Sequence, residues 1–224
     1  MRGAEELPDY AGDQINLKRI LGRRAQQAEL YFNQVAGRFD RSYGPGRSWQ
    51  AFGQLLLRLL PRLVVADLGA GEGLLSELLA RRAKHVIAVD NSEKMVAFGA
   101  NKARKNKIKN LEFRLGDLEK PPIEPGSVDL VILSQALHHA VHPEHAIRAA
   151  HAILRPRGQI MILDLLQHNF EQARELHGDR WLGFSEGDLQ HWLEAAGFRK
   201  IEVTVFARED QPPCFQTILA AGEK

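Results

Sequence analysis

Val64-Val65-Ala66-Asp67-Leu68-Gly69-Ala70-Gly71-Glu72-Gly73, residues 64–73, reads as a short apolar strand breaking into a glycine-rich turn, and Leu74-Leu75-Ser76-Glu77-Leu78 then opens a helix. Three glycines in five residues let the backbone turn sharply and come within contact distance of a ligand, where a Cβ would clash or forbid a positive φ. The turn is built to hold a small molecule. Dinucleotide-binding folds use G-x-G-x-x-G, but here the third glycine comes one residue early and Leu74 stands where it is needed. The spacing therefore argues against a nicotinamide cofactor.

Working outward, strands and helices alternate. The pattern predicts strands at 63–68, 85–90, 111–115, 128–134 and 158–165, helices at 73–83, 92–105, 143–154 and 185–196, and closing strands near 199–207 and 214–221. Parallel strands need crossover helices, so this alternation implies a mostly parallel sheet covered on both faces. The strand His85-Val86-Ile87-Ala88-Val89-Asp90 ends in a carboxylate 21 positions after Gly69, about the offset of a residue that binds ribose hydroxyls. Gly116-Asp117-Leu118 follows the third strand, Ser127-Val128-Asp129-Leu130-Val131 opens the fourth, and Ile153-Leu154-Arg155-Pro156-Arg157-Gly158 precedes the fifth.

At 224 residues the chain is long enough for one large domain, and a 44% hydrophobic content is that of a globular protein. A formal charge of +2 gives no reason to expect nucleic acid or an anionic surface as partner. Basic runs such as Arg81-Arg82-Ala83-Lys84 fall near predicted helix ends, where cations face the negative helix terminus. A single cysteine, Cys214, permits no internal disulfide and no multi-thiolate metal site. No window reaches membrane-spanning length and the amino terminus lacks a signal-peptide pattern, so a cytoplasmic location is expected.

The acidic residue and G-x-G-x-G of Asp67 to Gly73 resemble motif I of the class I S-adenosylmethionine-dependent methyltransferases. Asp90-Asn91-Ser92-Glu93-Lys94-Met95 is similar to that family's D-x-S-x-x-M, and the later motifs follow in the family's order. The resemblance covers roughly residues 28–222. It implies an α/β, Rossmann-like, doubly wound seven-stranded sheet of order 3-2-1-4-5-7-6, strand 7 antiparallel, with helices at the amino terminus. The expected organisation is a flexible arm at 1–13, a helical cap or joining segment at 14–62, and a methyltransferase core at 63–224.

The joining region also resembles known proteins. Arg19-Ile20-Leu21-Gly22-Arg23-Arg24-Ala25, then Tyr31-Phe32-Asn33-Gln34-Val35, and the stretch from Asp164 to Phe184, are similar to the methyltransferase half of fusions with an ArsR-type winged-helix regulator. The thirteen or so residues before the first helix cannot hold a winged helix, so nucleic acid is not an expected partner. A homodimer through the amino-terminal helices is one arrangement open to the chain.

The resemblance places S-adenosylmethionine beyond the carboxyl ends of the strands, where open α/β sheets bind ligands. Gly69, Ala70, Gly71 and Gly73 would meet its methionine part, with Asp67 ordering the loop or reaching the α-amino group through water. Asp90 would accept the ribose hydroxyls with Asn91 beside it, and Met95 would lie against the adenine. Asp117, with Gly116 and the Leu118 amide, would accept from the adenine amino group. Ser134 would stand at the end of the fourth strand, and Tyr31 would close over the cofactor with neighbouring aromatics as a lid.

After the fourth strand, Leu137-His138-His139 resembles the L-H-H of the ubiquinone and menaquinone methyltransferase group. A histidine can act as a base near neutral pH, which makes His138, His139 and then His168 the candidate catalytic residues. Adjacent side chains usually point opposite ways, so one of the pair faces the acceptor. His168 and His177, with Glu175, match no ligand spacing, and no metal is expected. Arsenite methyltransferases need several cysteines, so the lone Cys214 argues against that acceptor. The expected function is methyl transfer to a small-molecule acceptor. The alternatives are a non-catalytic S-adenosylmethionine-binding sensor or partner-binding domain and, less well supported, a nucleotide-dependent dehydrogenase.

Overall fold

The computed structural model describes residues 10–35, 53, 55–208 and 213–224, and the chain divides into two compact units, Met1–Phe52 and Gly53–Lys224. The first unit contributes helix α1, Tyr10–Val35. It begins before the end of the arm expected at 1–13, because the helical geometry runs through Gly12 and Asp13. The side chains of residues 24–35, and residues 36–52 altogether, lie outside the described residues, and with them the lid expected of Tyr31. Among the described residues no helix is long and apolar enough to cross a membrane.

In the second unit seven strands form one sheet of order β3-β2-β1-β4-β5-β7-β6. They are β1 Val64–Leu68, β2 His85–Asp90, β3 Leu111–Leu115, β4 Val128–Ser134, β5 Leu154–Leu165, β6 Arg199–Arg208 and β7 Gln216–Glu223. The first five pair in parallel, and β7 is antiparallel to both β5 and β6. Crossovers run through α2 Leu74–Ala80, α3 Glu93–Lys105, α4 Pro143–Ile153 and α6 Glu186–Ala196, with a four-residue turn of helix, α5, at Ala173–Leu176.

The central strands read as continuous apolar runs because both of their faces are covered. Successive side chains alternate between the faces. Val65, Val86 and Leu130 join Leu79 and Ala80 of α2 in one core. Their neighbours Leu68, Val89 and Leu133 join Ile147 of α4 and Leu193 of α6 in the other. In α4, Ala146, Ile147, Ala150 and Ile153 recur at helical spacing and are all buried. Ser185 starts α6 by accepting the Asp188 amide while Asp188 reaches back, a capping box, and Gly197 ends it at φ 95°.

Strand β5 begins four residues before the expected 158, since Leu154 already pairs with Val128 across an irregularity before Leu130 and Gln159. Reversal of strand order beside β1 leaves an open crevice at the carboxyl ends of β1 and β4.

Candidate functional site

The loop after β1 is fixed by β2. The amides of Gly69 and Ala70 both donate to the Val89 carbonyl, at 2.8 and 3.0 Å. Gly69 has φ +75°, and a Cβ there would lie 2.5 Å from the Ala136 Cβ, so only glycine lets the two loops close on each other. Gly73, at φ +77°, makes room for the Phe113 ring, 2.4 Å from where a Cβ would stand. The glycine thus lets the turn into α2 pack against β3.

Around this loop lies a cavity of about 510 Å³ at the carboxyl ends of the strands. Of the residues expected at the cofactor, Gly69, Gly71, Asp90, Asn91, Met95, Gly116, Asp117 and Leu118 line it. Asp67, Ala70, Gly73 and Ser134 do not form its wall. Ala70 spends its amide on Val89, and Asp67 is buried behind the loop, where the Ser76 hydroxyl donates to it. Of the two roles foreseen for Asp67, the first, ordering the loop, fits this burial. Burial pushes its pKa up to about 6, against the Ser76 hydrogen bond, with the Asp90 charge adding to the rise.

Asp90 stands at the cavity with each carboxylate oxygen tied to one backbone amide. Oδ2 accepts from Gly71 at 2.8 Å and Oδ1 from Ser92 at 2.9 Å. These donors orient the group and leave each oxygen lone-pair capacity toward the cavity. A Cβ on Gly71 would meet nothing within 4 Å, so the loop crest faces open space. An exposed Met95 adds an apolar wall, and Asp117 is turned by accepting the Glu119 amide at 2.8 Å. A carboxylate that can accept from a pair of hydroxyls, an apolar face and a second accepting carboxylate are the groups that a ribose, an adenine plane and an exocyclic amine require.

Ser92, the serine of the D-x-S-x-x-M match, lines the cavity too, as do Glu119, Gln135 and Arg180, which the sequence did not single out. Gln135 has φ +52°, a strained value for a residue with a side chain, held where its amide donates to Leu163 at 2.7 Å. A left-handed residue directly after a strand carries no sequence mark when it is not glycine.

The three histidines fall in different places. His139 is exposed and lines the cavity. His138 is 5% exposed and is not part of the wall, so of the adjacent pair it is His139 that faces the cavity. Its Nδ1 lies 2.8 Å from Oδ1 of Asp164, a residue with no exposed surface. Asp164 also accepts the Leu137 amide at 3.0 Å and the Leu165 amide at 2.7 Å. Burial pushes the His138 pKa down, but the Asp164 hydrogen bond and charge and the Asp179 charge outweigh it and set the value above the ordinary one. His168 belongs to two smaller neighbouring cavities; burial lowers its pKa, and its Nδ1 accepts the Phe170 amide at 3.2 Å. His177 and Glu175 are exposed on the surface.

A family model described as a methyltransferase domain matches residues 66–162, the span from β1 into β5 that carries all of the cavity's lining residues but Gly178 and Arg180. Over this span the chain is similar to the class I S-adenosylmethionine-dependent methyltransferases. An arsenite methyltransferase of Halobacterium salinarum is 30% identical over 154 residues, which are 65% of this chain and 39% of that protein. A ubiquinone/menaquinone biosynthesis C-methyltransferase of Blochmanniella pennsylvanica is 28% identical over 155 residues, 65% of this chain and 61% of that protein. The chain thus spans less than two thirds of the length of these curated relatives. In fold it matches the YcgJ protein of Bacillus subtilis with a TM-score of 0.64 and 16% identity, over 77% of this chain and 98% of that one. S-adenosylmethionine is the cofactor of this methyltransferase family, and the groups lining the cavity fit it.

Proposed function

We propose that the chain transfers a methyl group from S-adenosylmethionine to a small-molecule acceptor. The observation that carries this is Asp90, oriented by two amides at the cavity wall opposite an open glycine crest. When bound, the cofactor supplies an electrophilic methyl, so the protein's task is alignment and exclusion of water. Asp90 would hold the ribose hydroxyls, Met95 and Leu118 the adenine faces, and the backbone of Gly69 to Gly71 the amino-acid end.

His139 and Arg180 line the part of the cavity left for an acceptor. Arg180 also lines the adjoining cavity of about 480 Å³, whose wall includes His168, Glu171 and Arg174, so a polar acceptor suits this side. Among the described residues no thiol lines the cofactor cavity, which supports an acceptor other than arsenite.

The test is production of S-adenosylhomocysteine with a panel of hydroxyl, amine and acidic-carbon acceptors. An acceptor-dependent turnover is expected, falling by about a hundredfold in His139→Ala while cofactor affinity is kept. Cofactor binding without turnover on any acceptor would instead make the chain a sensor.

A further inference from the structure

Next to the acceptor side, His138, His139 and Asp179 bring two imidazoles and a carboxylate together. One ligand atom from each can be chosen so that all three lie within 4.8 Å of one another. Resting on the methyltransferase reading above, we propose that this trio binds a divalent first-row transition metal at the wall of the cavity.

Both imidazoles are already set for ligation. Nδ1 of His138 lies against the Asp164 carboxylate at 2.8 Å, and Nδ1 of His139 lies 3.2 Å from the Gly178 carbonyl. Those oxygens only accept, so each Nδ1 carries a hydrogen and Nε2 is the ring atom left for a metal to take in place of a proton. A ring hydrogen donated to a carboxylate or backbone carbonyl is how proteins orient metal-binding histidines.

The carboxylate is placed as carefully. Asp179 is 5% exposed, and its Oδ1 has no hydrogen-bond partner among the described residues. Oδ1 lies 3.6 Å from His138 Nε2, too long for a hydrogen bond. Two atoms each about 2.1 Å from a zinc ion at a tetrahedral angle are about 3.4 Å apart, so this spacing suits two ligands of one ion. The segment is pinned: the amides of Arg180 and Trp181 donate to the His138 carbonyl at 3.1 and 3.0 Å, and Trp181 Nε1 donates to the Ala140 carbonyl at 3.0 Å. His139, held by the Gly178 carbonyl and exposed, brings the third ligand from the cavity side.

Three protein ligands leave a coordination position open, the arrangement of catalytic rather than structural sites. His139 and Gly178 line the cavity, which puts the trio beside it, within reach of an oxygen of the acceptor. Two imidazoles and one carboxylate suit zinc, iron(II) or cobalt(II) rather than magnesium or calcium.

The experiment titrates the untagged, chelator-stripped full chain with Co²⁺, following heat and visible absorption, with Zn²⁺ as competitor. One equivalent should bind with a growing visible band that Zn²⁺ abolishes, and His139→Ala and Asp179→Asn should each weaken it more than about tenfold. His139 is exposed, so its alanine variant keeps the fold even if the Asp179 change does not. No saturable Co²⁺ binding, or equal binding by wild type and His139→Ala, overturns the proposal. S-adenosylmethionine is titrated into the same samples. Binding of the cofactor without a cobalt site removes the metal alone, whereas failure to bind it removes the proposed function.

Discussion

Asp67 closes β1 as a carboxylate with almost no access to water, and its charged form is costly there. With its pKa pushed from 3.8 to about 6, the folded protein keeps a proton between those values that the unfolded chain has released. Stability contributed by this group is therefore present at the acid end, falls as pH rises from about 4 to 6, and stays low above that. The full drop is about 3 kcal/mol at 1.36 kcal/mol per pKa unit. Urea unfolding of wild type and Asp67→Asn across this range should show the falling slope in the wild type and its absence from the variant. Parallel curves would mean that Asp67 titrates normally. Asp90 was visible in the sequence because a strand-end acid at a set distance from a glycine turn has one principal use. Asp179 was not: Gly178-Asp179-Arg180 reads as an ordinary turn, and folding alone brings it to His138, 41 positions earlier.

At the scale of elements, the end of β5 holds the turn after β4. Asp164 accepts two amides and the His138 ring from inside the core. An aspartate within Ile162-Leu163-Asp164-Leu165 was a readable sign, since a charge in a buried strand must have partners. Asp164→Ala leaves three donors without an acceptor and should cost about 2–4 kcal/mol, measured by denaturant unfolding. A change below about 0.5 kcal/mol would show that water or another group replaces it. The regular elements were legible because their periodicities are strong, from the apolar runs of β1, β2 and β4 to the spaced core residues of α4. The three-residue 3₁₀ turn at Leu137–His139 and the short α5 have too few residues to carry a period.

At the scale of the molecule, strand alternation gave the parallel sheet, but the order β3-β2-β1-β4-β5-β7-β6 was available only through the family resemblance. Strand order depends on crossover direction, which local patterning does not encode. The residues lining the cavity run from Gly69 to Arg180, all in the unit Gly53–Lys224. That unit expressed alone should unfold in one cooperative transition and bind S-adenosylmethionine. A folded fragment without affinity would show that residues before Gly53 build the site, as the lid expected of Tyr31 would.

Calorimetric titration of S-adenosylmethionine into the wild-type chain and into Asp90→Ala tests the central claim most directly. The account predicts one binding site in the wild type, weakened by about 1.5–3 kcal/mol in the variant with its fold intact, the scale of lost charge-assisted hydrogen bonds. Equal affinity in a folded Asp90→Ala protein, or no binding by the wild type, would contradict it.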